Sequence, residues 1–189
     1  FWSASIAVPD VSNWDTSRVT DMSRMFTLAE AADPNVSNWN TSNVTDMHHM
    51  FEFAWIAQPD VSNWDISQVT DMTRMFSTTN LANPDVSNWD TSKVTKMGSM
   101  FANTNSANPD VSSWDTGQVQ YLAQMFLNAS AANPDVSTWQ LPNVVNMVET
   151  FANSALSSEI YSAFLVNLQS QADLPSDIIM SVGPQFDSG

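Results

Sequence analysis

The chain of 189 residues has no cysteine, four glycines, two histidines and five cations against twenty acidic residues. Without cysteine there is no disulfide framework and no thiolate metal site; this is compatible with an exported protein that avoids stray disulfides. No apolar run reaches 18 residues, so no segment is a candidate membrane-spanning helix. No glycine-rich phosphate loop and no HExxH pair occurs. With no cysteine and only the neighbouring His48 and His49, no nucleophile–base constellation is visible. These absences read as not an enzyme. The cations are Arg18, Arg24, Arg74, Lys93 and Lys96, none follows Lys96, and the net charge is −15. Such a surface repels nucleic acid and anionic lipid. It fits a cationic partner, divalent ions or a high-salt milieu, with solubility alone as the plain alternative.

What is present is periodic. Trp14, Trp39, Trp64, Trp89, Trp114 and Trp139 recur every 25 residues. The phrase around the first, from Pro9 to Phe26, reads PDVSNWDTSRVTDMSRMF. A fixed period of this size marks a solenoid, which displays equivalent side chains along an extended face. Valine holds at 11 and 19 and their equivalents, Met or Leu at 22, Phe at 26 and Ala at 7. Phe1 falls in register with Phe26 and Phe51 and the chain does not begin with Met, which points to an excised or processed piece of a longer protein.

From Val19 to Ala29 the apolar positions are 19, 22, 25, 26 and 29, spacing that predicts a short helix. Thr20 is its expected N-cap, with Asp21 in the first turn, and Pro34 bars continuation. Trp14, Asp15 and Thr16 carry the strand signal. Position 16 is Thr16, Thr41, Ile66, Thr91, Thr116 and Leu141 across the copies, so it reads as inward. Period two then turns the tryptophans inward and Asp15 outward. Six short strands paired in parallel, with helical crossovers, make an α/β solenoid, right-handed by the usual rule.

The frame V-x-x-W-x-T-x-x-V-x-x-M-x-x-M-F, and the phrase WDISQVTDMTRMF from Trp64, resemble the BspA-like repeats of bacterial surface proteins, relatives of leucine-rich repeats. The resemblance covers about residues 8 to 155. It implies a leucine-rich-repeat-like fold within a large secreted or cell-surface protein, flanked by further domains, and a role in adhesion. The tail, Tyr161 to Leu165 and then Gln169 to Leu174, resembles the segment that follows such repeats. Ile160, Phe164, Leu165 and Leu168 share one helical face. The expected division is therefore six repeats over 1–155 and a capping segment over 156–189, with a helix and a last strand at Ile178–Val182.

The ladder expected to carry function follows the tryptophans: Asp15, Asn40, Asp65, Asp90, Asp115 and Gln140. In-register carboxylates about 5 Å apart raise each other's pKa or recruit a cation. The alternative is a structural carboxylate held by Ser17 or by turn amides of its own repeat. The ligand-binding face comprises Asp15, Asn40, Asp65, Asp90 and Asp115 with Ser17, Ser42, Arg18, Asn43, Gln68 and Lys93. Calcium is a weak cofactor candidate, because it needs 6–8 oxygens and no EF-hand or glycine-rich nonapeptide occurs; otherwise no cofactor or metal is expected. The post-proline set from Asp10 to Asp135 reads as turn chemistry. Phe53 and Trp55 replace small or polar equivalents, forming either a contact patch or packing against a neighbour. Trp2 is expected to cover the N-terminal end, and His48 and His49 read as ordinary surface residues.

The expected function is an extracellular adhesion module binding a protein, peptide or glycan on another cell or surface. The rivals are a passive spacer and an ice-binding solenoid suggested by Thr16, Thr41, Thr91 and Thr116. The last needs those threonines outward, which Ile66 and Leu141 oppose.

Overall fold

A computed structural model describes residues 10–176 and 178–181. The expected readings of Phe1, Trp2, Ala7 and Val182 fall outside them. The strand–helix alternation of the expected α/β leucine-rich-repeat-like solenoid does not form. Among the described residues there is one helix, α1 (Ser158–Ser170), and there are two strands, β1 (Asn146–Val148) and β2 (Ile179–Ser181), which pair in parallel. The repeats are turns stacked in layers.

Local chemistry explains the difference. Within the first layer Trp14 N–H closes a turn on Val11 O, and Val19 N–H closes another on Thr16 O. Only Asp15 lies between them, too little for a strand. From Met22 to Ala29, donors alternate in destination. Met25, Thr27 and Ala29 donate to Met22, Arg24 and Phe26 of their own layer. Met22, Arg24, Phe26 and Leu28 donate to Asp46, His48, Met50 and Glu52 of the next. A helix would keep all of these donors within its own segment. Arg24 and Leu28 have φ of 56° and 59°, which a helix forbids. Each is the third residue of a hydrogen-bonded turn, the type II pattern. The apolar spacing was real, but a run of turns satisfies it as well as a helix.

The residues assigned to the helix start have another use. Thr20 O accepts Thr45 N–H of the next layer at 2.8 Å. Asp21, Asp46, Asp71, Lys96, Tyr121 and Asn146 form a column of isolated parallel bridges. That column is where the layers pair as strands do, one residue per layer, and it runs on into β1 and β2.

The core is a set of identical columns. Phe26, Phe51, Phe76, Phe101 and Phe126 are buried and stack with ring centroids 5.5–5.6 Å apart. Trp39, Trp64, Trp89, Trp114 and Trp139 are 1–4% exposed. Burying each removes about 4–6 kcal/mol worth of apolar surface from water. Trp14, in the first copy of the phrase, stacks on Trp39 but stays 43% exposed. Each buried indole N–H also reaches into the preceding layer: Trp39 donates to Val11 O, Trp64 to Val36 O and Trp89 to Val61 O, at 3.0–3.2 Å. Every such carbonyl then takes two donors, the other being its own turn.

Position 16 is buried in all six copies, as expected. Its threonines are inside yet satisfied, because Thr16, Thr41, Thr91 and Thr116 donate to carbonyls of Asn40, Asp65, Asp115 and Gln140. At the far end α1 stands where a next layer would be. Phe164 meets Phe151 edge-on at 5.6 Å, and Leu168 is buried beside it. Asn167 and Gln171 donate to Trp139 O, while Gln171 Oε1 accepts Leu141 N–H.

Two stability predictions follow from these contacts. Trp89→Phe strands one acceptor interaction of Val61 and opens a cavity, so it should cost about 2–3 kcal/mol in urea unfolding, whereas Trp55→Ala at an exposed site should change stability by under ~0.5 kcal/mol. Thr78 is β-branched at φ 59°, while its equivalents are Asn103, Asn128 and Asn153, whose amides bond one layer to the next at 2.9 Å. Asparagine tolerates the left-handed region, so Thr78→Asn should stabilise by about 0.5–1 kcal/mol and raise the melting temperature.

Candidate functional site

The expected ligand face is an exposed ledge. Asp15, Asn40, Asp65, Asp90 and Asp115 are exposed, as are Arg18, Asn43, Gln68 and Lys93, while Ser17 and Ser42 are half-buried. Stacking brings these residues together in columns, one layer apart, so the set is contiguous. Each acidic side chain first serves its own turn. Asp15 Oδ1 accepts the Ser17 amide at 3.1 Å and its hydroxyl at 2.6 Å, and Asn40 Oδ1 accepts the Ser42 pair at 3.1 and 2.7 Å. Asp65, Asp90 and Asp115 accept the amides of Ser67, Ser92 and Gly117. These are Asx turns. The other carboxylate oxygen of Asp15, Asp65, Asp90 and Asp115 has no hydrogen bond to a described residue and faces solvent.

These bonds match the reading of the ladder as structural carboxylates held by the serine or turn amide of their own repeat. The Ser17 hydroxyl and then its amide hold Asp15 below the usual carboxylate range, and Ser92 does the same for Asp90. Asp10, Asp85 and Asp110 are lowered in the same way by Ser12, Ser87 and Ser112, so the post-proline set is turn chemistry as read. Between layers, Asn43 donates to Ser17 O at 2.9 Å and Lys93 to Gln68 Oε1 at 2.8 Å.

The other long edge of the stack, from position 21 to 31, carries groups that the sequence reading passed over. His48 and His49 are not ordinary surface histidines. Their rings meet edge-to-face at 5.2 Å, and each is half-buried. His48 Nδ1 lies 2.6 Å from Asp46 Oδ1, and His49 Nδ1 lies 2.6 Å from Glu52 Oε2. Glu52 is 5% exposed, and its other oxygen meets Arg74 Nη1 at 3.4 Å. Asp71 pairs with Lys96 at 3.0 Å. Burial pushes the Asp71 carboxyl up, but bonds from Thr73 and Lys96 outweigh it and leave the group lowered. Beside this network lies a cavity of about 400 Å³, lined by Arg24, Thr27, Leu28, His49, Glu52 and Phe53. Phe53 and Trp55 are 36% and 46% exposed, with Ile56 and Leu81 exposed near them. The signal for this edge was in the sequence: Glu52 is the one charged residue in a column that otherwise holds Thr27, Ser77, Ala102, Leu127 and Ala152.

The geometry is that of a repeat built on one phrase, and the family comparison follows it. The family described as "Mycoplasma protein of unknown function, DUF285" matches residues 1–81 and again 53–164. The chain belongs to the DUF285 family. Overlap of the two matches is natural where every copy satisfies the same pattern. No curated protein and no solved structure matches this DUF285 chain.

The serine bonds give a titration test. Ser112→Ala removes the hydroxyl donor that depresses Asp110, so the Asp110 pKa should rise toward its ordinary value in an NMR pH titration. Folded values below the unfolded value mean that these turns stabilise fully above about pH 4 and lose that contribution as pH falls through the folded values.

Proposed function

We propose that this DUF285 chain is an extracellular interaction module of a bacterial surface protein, with an adhesive role. Its partner is a protein, peptide or glycan held along the ledge of Asp15, Asn40, Asp65, Asp90 and Asp115 and their neighbours Ser17, Ser42, Arg18, Asn43, Gln68 and Lys93. The observation that carries this reading is the state of the ledge side chains. Each carboxylate is fixed by its own serine or glycine amide and presents a second oxygen outward. A binding surface ordered before contact loses less entropy on association. Resemblance to BspA-like repeats supports the surface location and the adhesive role, and DUF285 membership is compatible with a repeat surface protein. On this reading the module is neither an enzyme nor a nucleic-acid or membrane-inserting protein, and it needs no cofactor.

A spacer reading has one observation in its favour: the same Asx bonds give every ledge carboxylate a structural reason to exist. The ice-binding reading draws nothing from Thr16, Thr41, Thr91 and Thr116, whose hydroxyls are spent on interlayer carbonyls.

The deciding experiment is a glycan and peptide array, with and without calcium, using the native chain and two double variants. Asp65→Asn with Asp90→Asn keeps the turn acceptor, as Asn40 does, and removes the charge. Asp65→Lys with Asp90→Lys reverses it. Binding should weaken in the first and vanish in the second, with far-ultraviolet circular dichroism unchanged. Retained binding in the lysine variant refutes the ledge, and a blank array favours the spacer.

A further inference from the structure

Arg24 is the anomaly of the second edge. In a chain with twenty acidic residues, this guanidinium is exposed and has no hydrogen bond or ion pair with any described residue. It belongs to a column with His49 and Arg74, one layer apart each, the only run of three basic side chains that stacking brings together among the described residues. Glu52 does not neutralise Arg24. Both of its oxygens are engaged, by His49 and by Arg74, and it is buried. Its effect is to position those two side chains and leave Arg24 as the unspent charge at the mouth of the 400 Å³ cavity.

The walls of that cavity are fixed. Leu28 and Phe53 sit in the left-handed region and are pinned to the following layer, Leu28 N–H on Glu52 O and Phe53 N–H on Ser77 O. Their side chains make an open apolar wall beside the cation. We propose that this cavity binds the carboxylated pyranose of an acidic glycan, with Arg24 on the carboxylate and Phe53 under the C–H face of the ring. A guanidinium pairs a carboxylate through two parallel hydrogen bonds, which fixes orientation as well as charge. The volume lies in the range of small-ligand sites. The wall is a half-exposed aromatic without a closed apolar pocket, which suits a sugar ring better than an aliphatic chain that needs burial. A second cavity, of about 190 Å³, lies on the far side of Glu52 and Phe53 and is lined by Arg74, Thr78, Asn103 and Gln124. It gives the next residue of a glycan chain a place along the same edge. This site is separate from the acidic ledge and does not depend on it.

The repeat itself supplies substitutions that the fold accepts. Gln124 occupies the column of Arg24, Asn103 that of Phe53, and Asn146 that of Lys96. The test is an amide NMR titration of the native chain with methyl glucuronoside, at physiological salt. Shifts should cluster at Arg24, Leu28, His49, Glu52 and Phe53 and saturate with Kd on the order of 1 mM, as expected for so small a ligand. Arg24→Gln should weaken binding about tenfold, the loss of one charge-assisted pair, and Phe53→Asn several-fold. Lys96→Asn, the same charge change outside the cavity and the ledge, should leave it unchanged. Neutral methyl glucoside should give no shifts. The proposal is overturned by absence of shifts at these residues, by equal binding of acetate or N-acetyl-leucine, or by equal loss in Lys96→Asn and Arg24→Gln.

Discussion

The indole N–H of each buried tryptophan donates to a valine carbonyl of the layer before it, and much of the molecule is arranged around that reach. It ties adjacent layers through a buried hydrogen bond. It also fixes their register, since a layer displaced by one residue would bring no valine carbonyl under the indole. Once register is set, the phenylalanines fall into one stack and the bridging residues into one column. From Met22 to Leu28 and in the equivalent segments, backbone donors that do not close a turn within the layer are satisfied by the next layer. Such a molecule is stabilised by neighbour contacts repeated along one axis, with few contacts between distant parts. Its end therefore needs a substitute for a neighbour. Asn167 and Gln171 of α1 supply one, donating their side-chain amides to Trp139 O.

The parts of this arrangement that were legible in the sequence are those encoded by identity at fixed spacing. Position 16 accepts Thr, Ile and Leu, and all six are inside. The tryptophans follow except Trp14. The tail reads as a helix and forms one, with Ser157 capping it through Ile160 N–H. What was not legible is the backbone of the Val19–Ala29 segment. Apolar residues three and four apart are the mark of a helix, and consecutive type II turns produce the same spacing. The usual warning of such turns is glycine at the third position. Among the described residues twelve non-glycine residues take positive φ, and no glycine does. The remaining trace was the run Asn103, Asn128 and Asn153, since asparagine is the residue after glycine that best tolerates that conformation.

The same contrast holds for the sites. The acidic ledge was found by its repetition, and its exposure agrees with that reading, but the role of each carboxylate in its own turn depends on geometry that spacing does not carry. The basic edge was missed because repetition there is broken. Arg24, His49 and Arg74 share their column with Ser99, Gln124 and Glu149, and Glu52 is a lone acid at another. Stacking copies to find what is held filters out such sites, which exist only where a copy departs from the others. The framework is shared by all layers, and chemical individuality is confined to a few columns that the framework leaves free.

The interlocking of indole and carbonyl also limits how such a molecule can change its length. A deletion or insertion of one residue puts the layer that carries it out of register with its neighbours, so that the indoles on either side of the change no longer meet their carbonyls. Removal or duplication of a whole 25-residue unit leaves every contact of the remaining layers with an equivalent partner. Length is therefore quantised in this architecture. Genetic slippage by one unit is tolerated where slippage by one codon is not, so the reach of such a protein can be lengthened or shortened in fixed steps without redesign of its core.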